Sequence, residues 1–272
     1  MSKANLIIFT DLDGTLLDHN TYSFDAAREA MDRVKEACIP LILCSSKTRA
    51  EIEIWREKLN NNDPFISENG GAIFFTETLN SISEKYIERK GYRIIELGTP
   101  YSELIAQFKT LKNRFGNRIR GLSEMDLDEV MYLTGLSKEE AAAAKEREYT
   151  EPFVFDGDEN EEIELEKNIR NLNLNLTKGG RFFHLLGDND KGKAVNVITE
   201  MYKETHPELK TVALGDSFND LPMLQAADMP ILVQKPGGLY GRQIDLPNLS
   251  RAPGAGPIGW NKALLMILSD EI

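Results

Sequence analysis

Cysteine is scarce in this chain, and so are basic residues and long apolar runs. Its only cysteines, Cys38 and Cys44, sit in or beside apolar stretches, in neither a zinc-like nor a disulfide-framework spacing, and read as small buried side chains. No apolar run approaches the ~18 residues of a membrane-spanning helix, so no membrane partner is expected. The opening residues Met1 to Asn5 run straight into a strand-like segment with no signal-peptide core, which makes a cytoplasmic location the expectation. Lysine and arginine number 32 against 44 acidic residues, a net charge of -12. That balance argues against a nucleic-acid or anionic-membrane surface, because such partners need a basic footprint. An anionic small substrate remains compatible with it, provided the site is locally basic.

The 272 residues are enough for two domains or one large one, and 41% hydrophobic with 28% charged residues is ordinary for a globular protein. Residues 5–10 read as a buried strand, followed by an acidic loop and a helix over about 23–37. A second strand over 39–44, a helix over about 49–60 and a third strand from Pro64 continue the rhythm. This alternation predicts βαβ units and a mainly parallel, Rossmann-like α/β sheet, whose ligands lie beyond the carboxyl ends of the strands. From about 85 to 187 strands and helices lose that order, as expected of an inserted α+β module, with 1–84 and 188–272 forming one core. In this stretch Ser137-Lys138-Glu139-Glu140 is a capping box opening an alanine-rich helix over 139–148. A helix over 191–205, strands over 211–214 and 231–233 and a terminal helix over 259–268 resume the core pattern. The Gly/Pro-rich 252–259 reads as a loop, and the acidic 156–162 as a solvated loop and helix cap.

Two acidic clusters follow apolar strands, Asp11 with Asp13 and Asp216 with Asp220. Carboxylates gathered at one end of a sheet repel one another unless a cation or proton intervenes. Oxygen donors with no histidine or cysteine beside them favour a hard cation, Mg²⁺ being the usual choice where phosphate completes the shell. A calcium-binding loop of the EF-hand type does not fit, since Gly14 stands fourth and Tyr22 twelfth in the string that begins at Asp11.

Asp11-Leu12-Asp13-Gly14-Thr15 resembles the first motif of the haloacid dehalogenase-like (HAD) phosphatases. Ser45 at the end of the second strand resembles the second, Lys191 opening a helix the third, and Gly215 to Asp220 the fourth. The insertion is similar to the α+β (type C2B) cap of subclass IIB. The resemblance implies that Asp11 is a nucleophile forming an aspartyl-phosphate and that Asp13 is the general acid/base. It further implies Mg²⁺ held by Asp11, the Asp13 backbone carbonyl and Asp216, with Asp220 outside the coordination shell or orienting Lys191. Ser45 and Lys191 would bind phosphoryl oxygens.

Further strings, "CSSKT", "ENGG", "TGLS", "REY", "GGRFFH" and the closing "PGAGPIGW", are similar to the mannosyl-3-phosphoglycerate phosphatases. The implied substrate, mannosyl- or glucosyl-3-phosphoglycerate, carries a phosphate and a carboxylate. Lys47, Lys178, Arg181, His184 and Lys191 are the candidates to face it, Arg181 first because its planar fork binds either group bidentately. Arg181 could equally be a surface residue and His184 a core histidine between phenylalanines. Asn69 lies in an Asn-Gly hairpin signal and, with Asn219, is a candidate substrate contact by the same resemblance. Glu148 and Tyr149 could meet sugar hydroxyls or simply pack. A hexose phosphomutase is the alternative enzyme. A non-catalytic phosphate sensor is disfavoured, because a sensor has no need of an acid/base at Asp13.

Overall fold

The computed structural model describes residues 5–76, 85–179, 182–241 and 244–270. Its strands and helices follow in the order β1 (Leu6–Thr10), α1 (Arg28–Glu36), β2 (Leu41–Cys44), α2 (Arg49–Leu59), β3 (Phe65–Ser67), β4 (Ala72–Phe75), β5 (Ile87–Arg89), β6 (Tyr92–Glu96) and α3 (Tyr101–Phe115). Next come β7 (Ile119–Gly121), α4 (Leu127–Thr134), α5 (Lys138–Ala144), β8 (Thr150–Phe155), α6 (Glu159–Asn171), β9 (Asn175–Lys178) and β10 (Phe183–Leu186). The chain closes with α7 (Lys191–Lys203), β11 (Lys210–Gly215), α8 (Leu221–Gln225), β12 (Met229–Gln234), β13 (Ser250–Ala255) and α9 (Gly256–Asp270).

Among the described residues two sheets form. The larger runs β13-β12-β11-β1-β2-β3-β4-β6-β5, and the smaller runs β7-β8-β10-β9. Strands β13 through β3 are parallel, and β4, β6 and β5 extend them antiparallel. β1 is apolar at almost every position and wholly buried, as a central parallel strand covered on both faces must be. Its alternate side chains go to opposite layers. Leu6 and Ile8 pack toward α1 and α9, while Ile7 and Phe9 pack toward α7. The indole N–H of Trp260 in α9 donates to Thr10 Oγ1 at 3.0 Å and ties the last helix to the first strand.

The smaller sheet is wholly antiparallel. Along β8, Phe153 and Phe155 join the core formed with α3 and α6, and Val154 faces the cluster around Val130 of α4 and Ala141 of α5. An α/β core carrying an α+β unit is therefore present. The stretch from 85 does not open that unit, however. β5 and β6 pair onto the large sheet through β4, since Ile94 and Ile95 send apolar side chains to the two opposite layers and extend the Phe65–Phe75 hairpin. We place the insertion between about 97 and 187. Two other expectations need correction. The helix expected over 23–37 begins with a short 3₁₀ turn at Asp25–Ala27 and is α-helical only from Arg28. The Gly/Pro-rich 252–259 is edge strand and helix start rather than loop, and an edge strand tolerates Pro253 because its missing N–H breaks no ladder bond.

Candidate active site

The carboxyl ends of β1, β2 and β11 lie side by side, and each ends in a polar residue: Asp11, Ser45 and Asp216. The loop after β1 turns back at once, with Leu17 N–H donating to Leu12 O at 2.8 Å and Gly14 N–H to Leu17 O at 2.9 Å. Gly14 has φ +77°, and a Cβ there would come within 3.1 Å of Asp216 Oδ2, so two constraints call for glycine at this position. Asp11, Asp216 and Asp220 are buried and place one carboxylate oxygen each within 4.8 Å of the others. Lys191, the first residue of α7, has no exposed surface, and its Nζ donates to Asp11 Oδ1 at 2.8 Å and to Asp220 Oδ1 at 2.6 Å. Asp190 caps the helix from the preceding position, accepting from Lys193 N–H at 2.8 Å.

One ammonium does not neutralise three carboxylates. Burial, and then Asp220, push Asp11 well above the usual carboxylate range. Burial and Asp220 raise Asp216 to about 6, with Lys235 Nζ 3.8 Å away offsetting part of this. Burial works against the charge on Lys191, but Asp11 and Asp220 outweigh it and keep the amine protonated. A cluster short of positive charge and made of oxygen donors alone fits a hard divalent cation. Asp11, which gives only one oxygen to Lys191, and Asp216 are the donors best placed for it. Asp220 is occupied, with one oxygen on Lys191 and the other accepting from Asp216 N–H at 3.0 Å and Ser217 N–H at 2.9 Å. It shapes the loop and holds the lysine.

Asp13 stands apart from this cluster. Its carboxylate faces the cleft and meets Lys47 Nζ at 2.9 Å. Burial disfavours the charge on Lys47, yet Asp13 and Glu51 raise its affinity for a proton. Ser45 is buried at the end of β2, its Oγ accepting from Lys47 N–H at 3.3 Å and its carbonyl from Asn69 N–H at 3.0 Å. The Asn-Gly turn is a hairpin turn between β3 and β4, and it also lies at the site. Asn219 Nδ2 donates to Asn69 Oδ1 at 3.2 Å, and Asn189 Nδ2 donates to the Asn69 carbonyl at 3.2 Å.

Beyond Asp13 a cavity of about 150 Å³ opens between the two units. Asp13, Lys47 and Glu51 form its core wall; Val130, Leu136, Phe182, Arg147 and His184 line the other side. His184 is buried, its Nδ1 has no partner among the described residues, and burial, then Arg147 and Lys191, push its pKa down to about 3. The ring is therefore neutral. Lys178 is not part of this wall. It is more than half exposed, 3.3 Å from Glu162 and over the ring of Phe183. Arg181 lies outside the described residues. Tyr149 packs rather than faces the cavity, donating its hydroxyl to Glu96 at 2.5 Å.

Two residues with strong roles escaped the sequence reading. Arg147, its side chain 7% exposed, donates to Ser46 O at 2.9 Å and Ala144 O at 2.8 Å and so links the α5 end to the loop after β2. Glu68, fully buried, accepts from three backbone N–H groups of residues 148–150. The only sequence sign of either was membership in "REY" and "ENGG", where neighbouring residues drew the attention.

The chain belongs to the haloacid dehalogenase-like hydrolases, whose family pattern matches residues 8–235. Among characterised relatives it is similar to a glucosyl-3-phosphoglycerate/mannosyl-3-phosphoglycerate phosphatase of Methanococcoides burtonii, 49% identical over 96% of this chain and 97% of the relative. A protein of the same name from Persephonella marina is 39% identical over 97% and 98%. The mannosyl-3-phosphoglycerate phosphatase of Pyrococcus horikoshii is 36% identical over 84% and 90%. Solved structures share the fold at low identity. A phosphatase of the HAD superfamily from Bacteroides thetaiotaomicron superposes with a TM-score of 0.69 at 17% identity, covering 100% of this chain and 97% of that one. A subclass IIB sugar phosphatase superposes with a TM-score of 0.64 at 17% identity, covering 98% and 99%.

Proposed function

We propose that this chain is a Mg²⁺-dependent phosphatase that hydrolyses the phosphate ester of glucosyl- or mannosyl-3-phosphoglycerate through an aspartyl-phosphate on Asp11. The observation that carries the proposal is the buried Asp11–Asp216–Asp220 cluster on Lys191, at the strand ends and beside a cavity shared by both units. The near full-length relatives supply the substrate.

Phosphoryl transfer needs positioning and charge stabilisation above all. Lys191 holds one oxygen of Asp11 and leaves the other to attack phosphorus. Bound Mg²⁺, held by Asp11, Asp216 and the Asp13 carbonyl, would offset the charge of the phosphate against the carboxylates. Ser45, at the neighbouring strand end, and Lys191 face the transferring oxygens. Lys47, on the cavity wall, pairs with the arriving anion, and that exchange releases the Asp13 carboxyl toward the leaving glycerate oxygen. Asp13, having taken up a proton from solvent as it leaves Lys47, delivers it there and then takes one from the water that cleaves the aspartyl-phosphate. The apolar wall of Val130, Leu136 and Phe182 suits a sugar face, with neutral His184 available to a hydroxyl. A cavity of about 150 Å³ lies below the ~300 Å³ typical of ligand pockets, so substrate entry requires the small unit to swing back.

The test is phosphate release from both glycosyl-3-phosphoglycerates beside simple hexose phosphates, with Mg²⁺ and with a chelator. Metal-dependent preference for the glycosyl-3-phosphoglycerates is expected, with Asp11→Asn folded and inactive. Preference for hexose phosphates would overturn the substrate, and an active Asp11→Asn the mechanism.

A further inference from the structure

Glu68 occupies a position that no step above uses. It sits in the turn between β3 and β4 with φ +48°, followed by Asn69 at φ +55°, two consecutive non-glycine residues in left-handed backbone. Such strain persists only where surrounding contacts fix it. Here its fully buried carboxylate accepts four hydrogen bonds from the residues that lead into β8: Glu148 N–H at 2.8 Å, Tyr149 N–H at 3.1 Å, Thr150 N–H at 2.8 Å and the Thr150 hydroxyl at 2.6 Å. Its own backbone faces the other way. Glu68 N–H donates to Lys47 O at 2.9 Å, and the next residue holds Ser45 O and Asn219.

The same spot is where the chain crosses between the units. Tyr101 N–H donates to Glu148 O at 2.9 Å, and Tyr149 packs so close that a Cβ on Gly71 would come within 2.4 Å of its own. The two crossings touch, since a Cβ on Gly187 would fall 2.2 Å from Thr99 Oγ1. From this anchor β8 runs on to Pro152, which pairs in register with His184, and both line the cavity.

We propose that Glu68 is a positioning residue that pins the pivot of the inserted unit, so that the His184 wall of the cavity closes in register on the Asp13–Lys47 wall. The inference rests on the proposed function only for its choice of substrate. Glu68 touches none of Asp11, Asp13, Lys191 or Asp216, so its loss acts on substrates that need the upper wall and spares those that need only the centre.

The experiment compares kcat and KM for a glycosyl-3-phosphoglycerate and for p-nitrophenyl phosphate, a small ester that needs no upper wall, in wild type, Glu68→Ala and Glu68→Gln. For Glu68→Ala, kcat/KM on the glycosyl substrate is expected to fall tenfold or more, chiefly through KM, with the value for p-nitrophenyl phosphate within threefold of wild type. Glu68→Gln, which keeps one acceptor oxygen, should fall between. Equal losses on both substrates, or no loss on either, overturn the proposal. Should Glu68→Ala not fold, Thr150→Val removes a single donor to the same carboxylate. A selectivity shift of threefold or more in the same direction then supports the proposal, and an unchanged ratio overturns it. Wild-type turnover of the glycosyl substrate separately tests the proposed function.

Discussion

Replacing Lys191 with methionine gives the sharpest check on the charge balance of the centre. Methionine keeps most of the stem's length and apolar volume, so packing against α7's neighbours changes little. The charge is what leaves. Lys191 is fully buried and stands 2.8 Å from Asp11 and 2.6 Å from Asp220, so these two carboxylates lose their nearest cation. Removing one partner from a buried ionic network costs about 3–5 kcal/mol. At roughly 2–4 °C per kcal/mol for a chain of this size, the melting temperature in EDTA should drop by roughly 6–20 °C. Mg²⁺ should then stabilise the variant more than wild type. A ligand of the native state adds RT ln(1 + [L]/Kd), and the cluster left with one more uncompensated negative charge binds a cation more tightly. Turnover should fall by about two orders of magnitude or more, because Asp11 loses its orienting donor. The assay is paired thermal melts in EDTA and in Mg²⁺, with phosphate release beside them. A variant melting within ~2 °C of wild type in EDTA, or gaining no more from Mg²⁺, would refute the reasoning.

Two further outcomes are expected. Unfolded histidine titrates at its ordinary 6.5 whereas folded His184 titrates at about 3, so its contribution is complete above pH 6.5 and is lost as the pH falls, by about 2 kcal/mol at pH 5. Urea denaturation of His184→Leu at pH 7 and pH 5 should show a flatter acid limb than wild type, and parallel limbs would count against it. Gly70→Ala forces a side chain onto φ +84° with its Cβ 2.0 Å from the Asp190 carbonyl. It should therefore cost more than the ~1–2 kcal/mol of left-handed backbone alone and displace Lys191 enough to lower kcat, and a variant with wild-type kcat and melting temperature would contradict the packing.

The candidate centre was legible because each of its parts belongs to a local pattern. Asp11, Ser45 and Asp216 end apolar strands, and Lys191 opens a helix behind an aspartate cap, so strand periodicity and capping chemistry put them at one edge of a parallel sheet. The upper wall was not, because its residues act through long-range contacts. Glu68 reads as part of a polar hairpin turn, and nothing local tells that a segment some eighty residues later buries its carboxylate. Arg147 reads as the end of an alanine-rich helix, and the last turn expected of that helix unwinds after Ala144 to place it. Lys178 looked like a site lysine by its neighbours in sequence, but a strand's alternation can aim either way, and a nearby Glu162 holds it outside. The unit boundary was misplaced for a similar reason: β5 and β6 look like any exposed hairpin until β4 supplies an edge to join.

The bond from Trp260 to Thr10 spans 250 positions, so during synthesis the first strand is made long before the helix that covers it. Asp11 is made 180 positions before Lys191, its partner in the centre. Its strand is flanked by one that begins at Lys210, and Lys191, Asp216 and Asp220 all come after the inserted unit. Domains fold as units while a chain emerges, so the small unit is free to fold with the centre still unmade. A nascent chain thus carries its small unit before Lys191, Asp216 and Asp220 exist to meet Asp11, and α9 comes later still to cover β1.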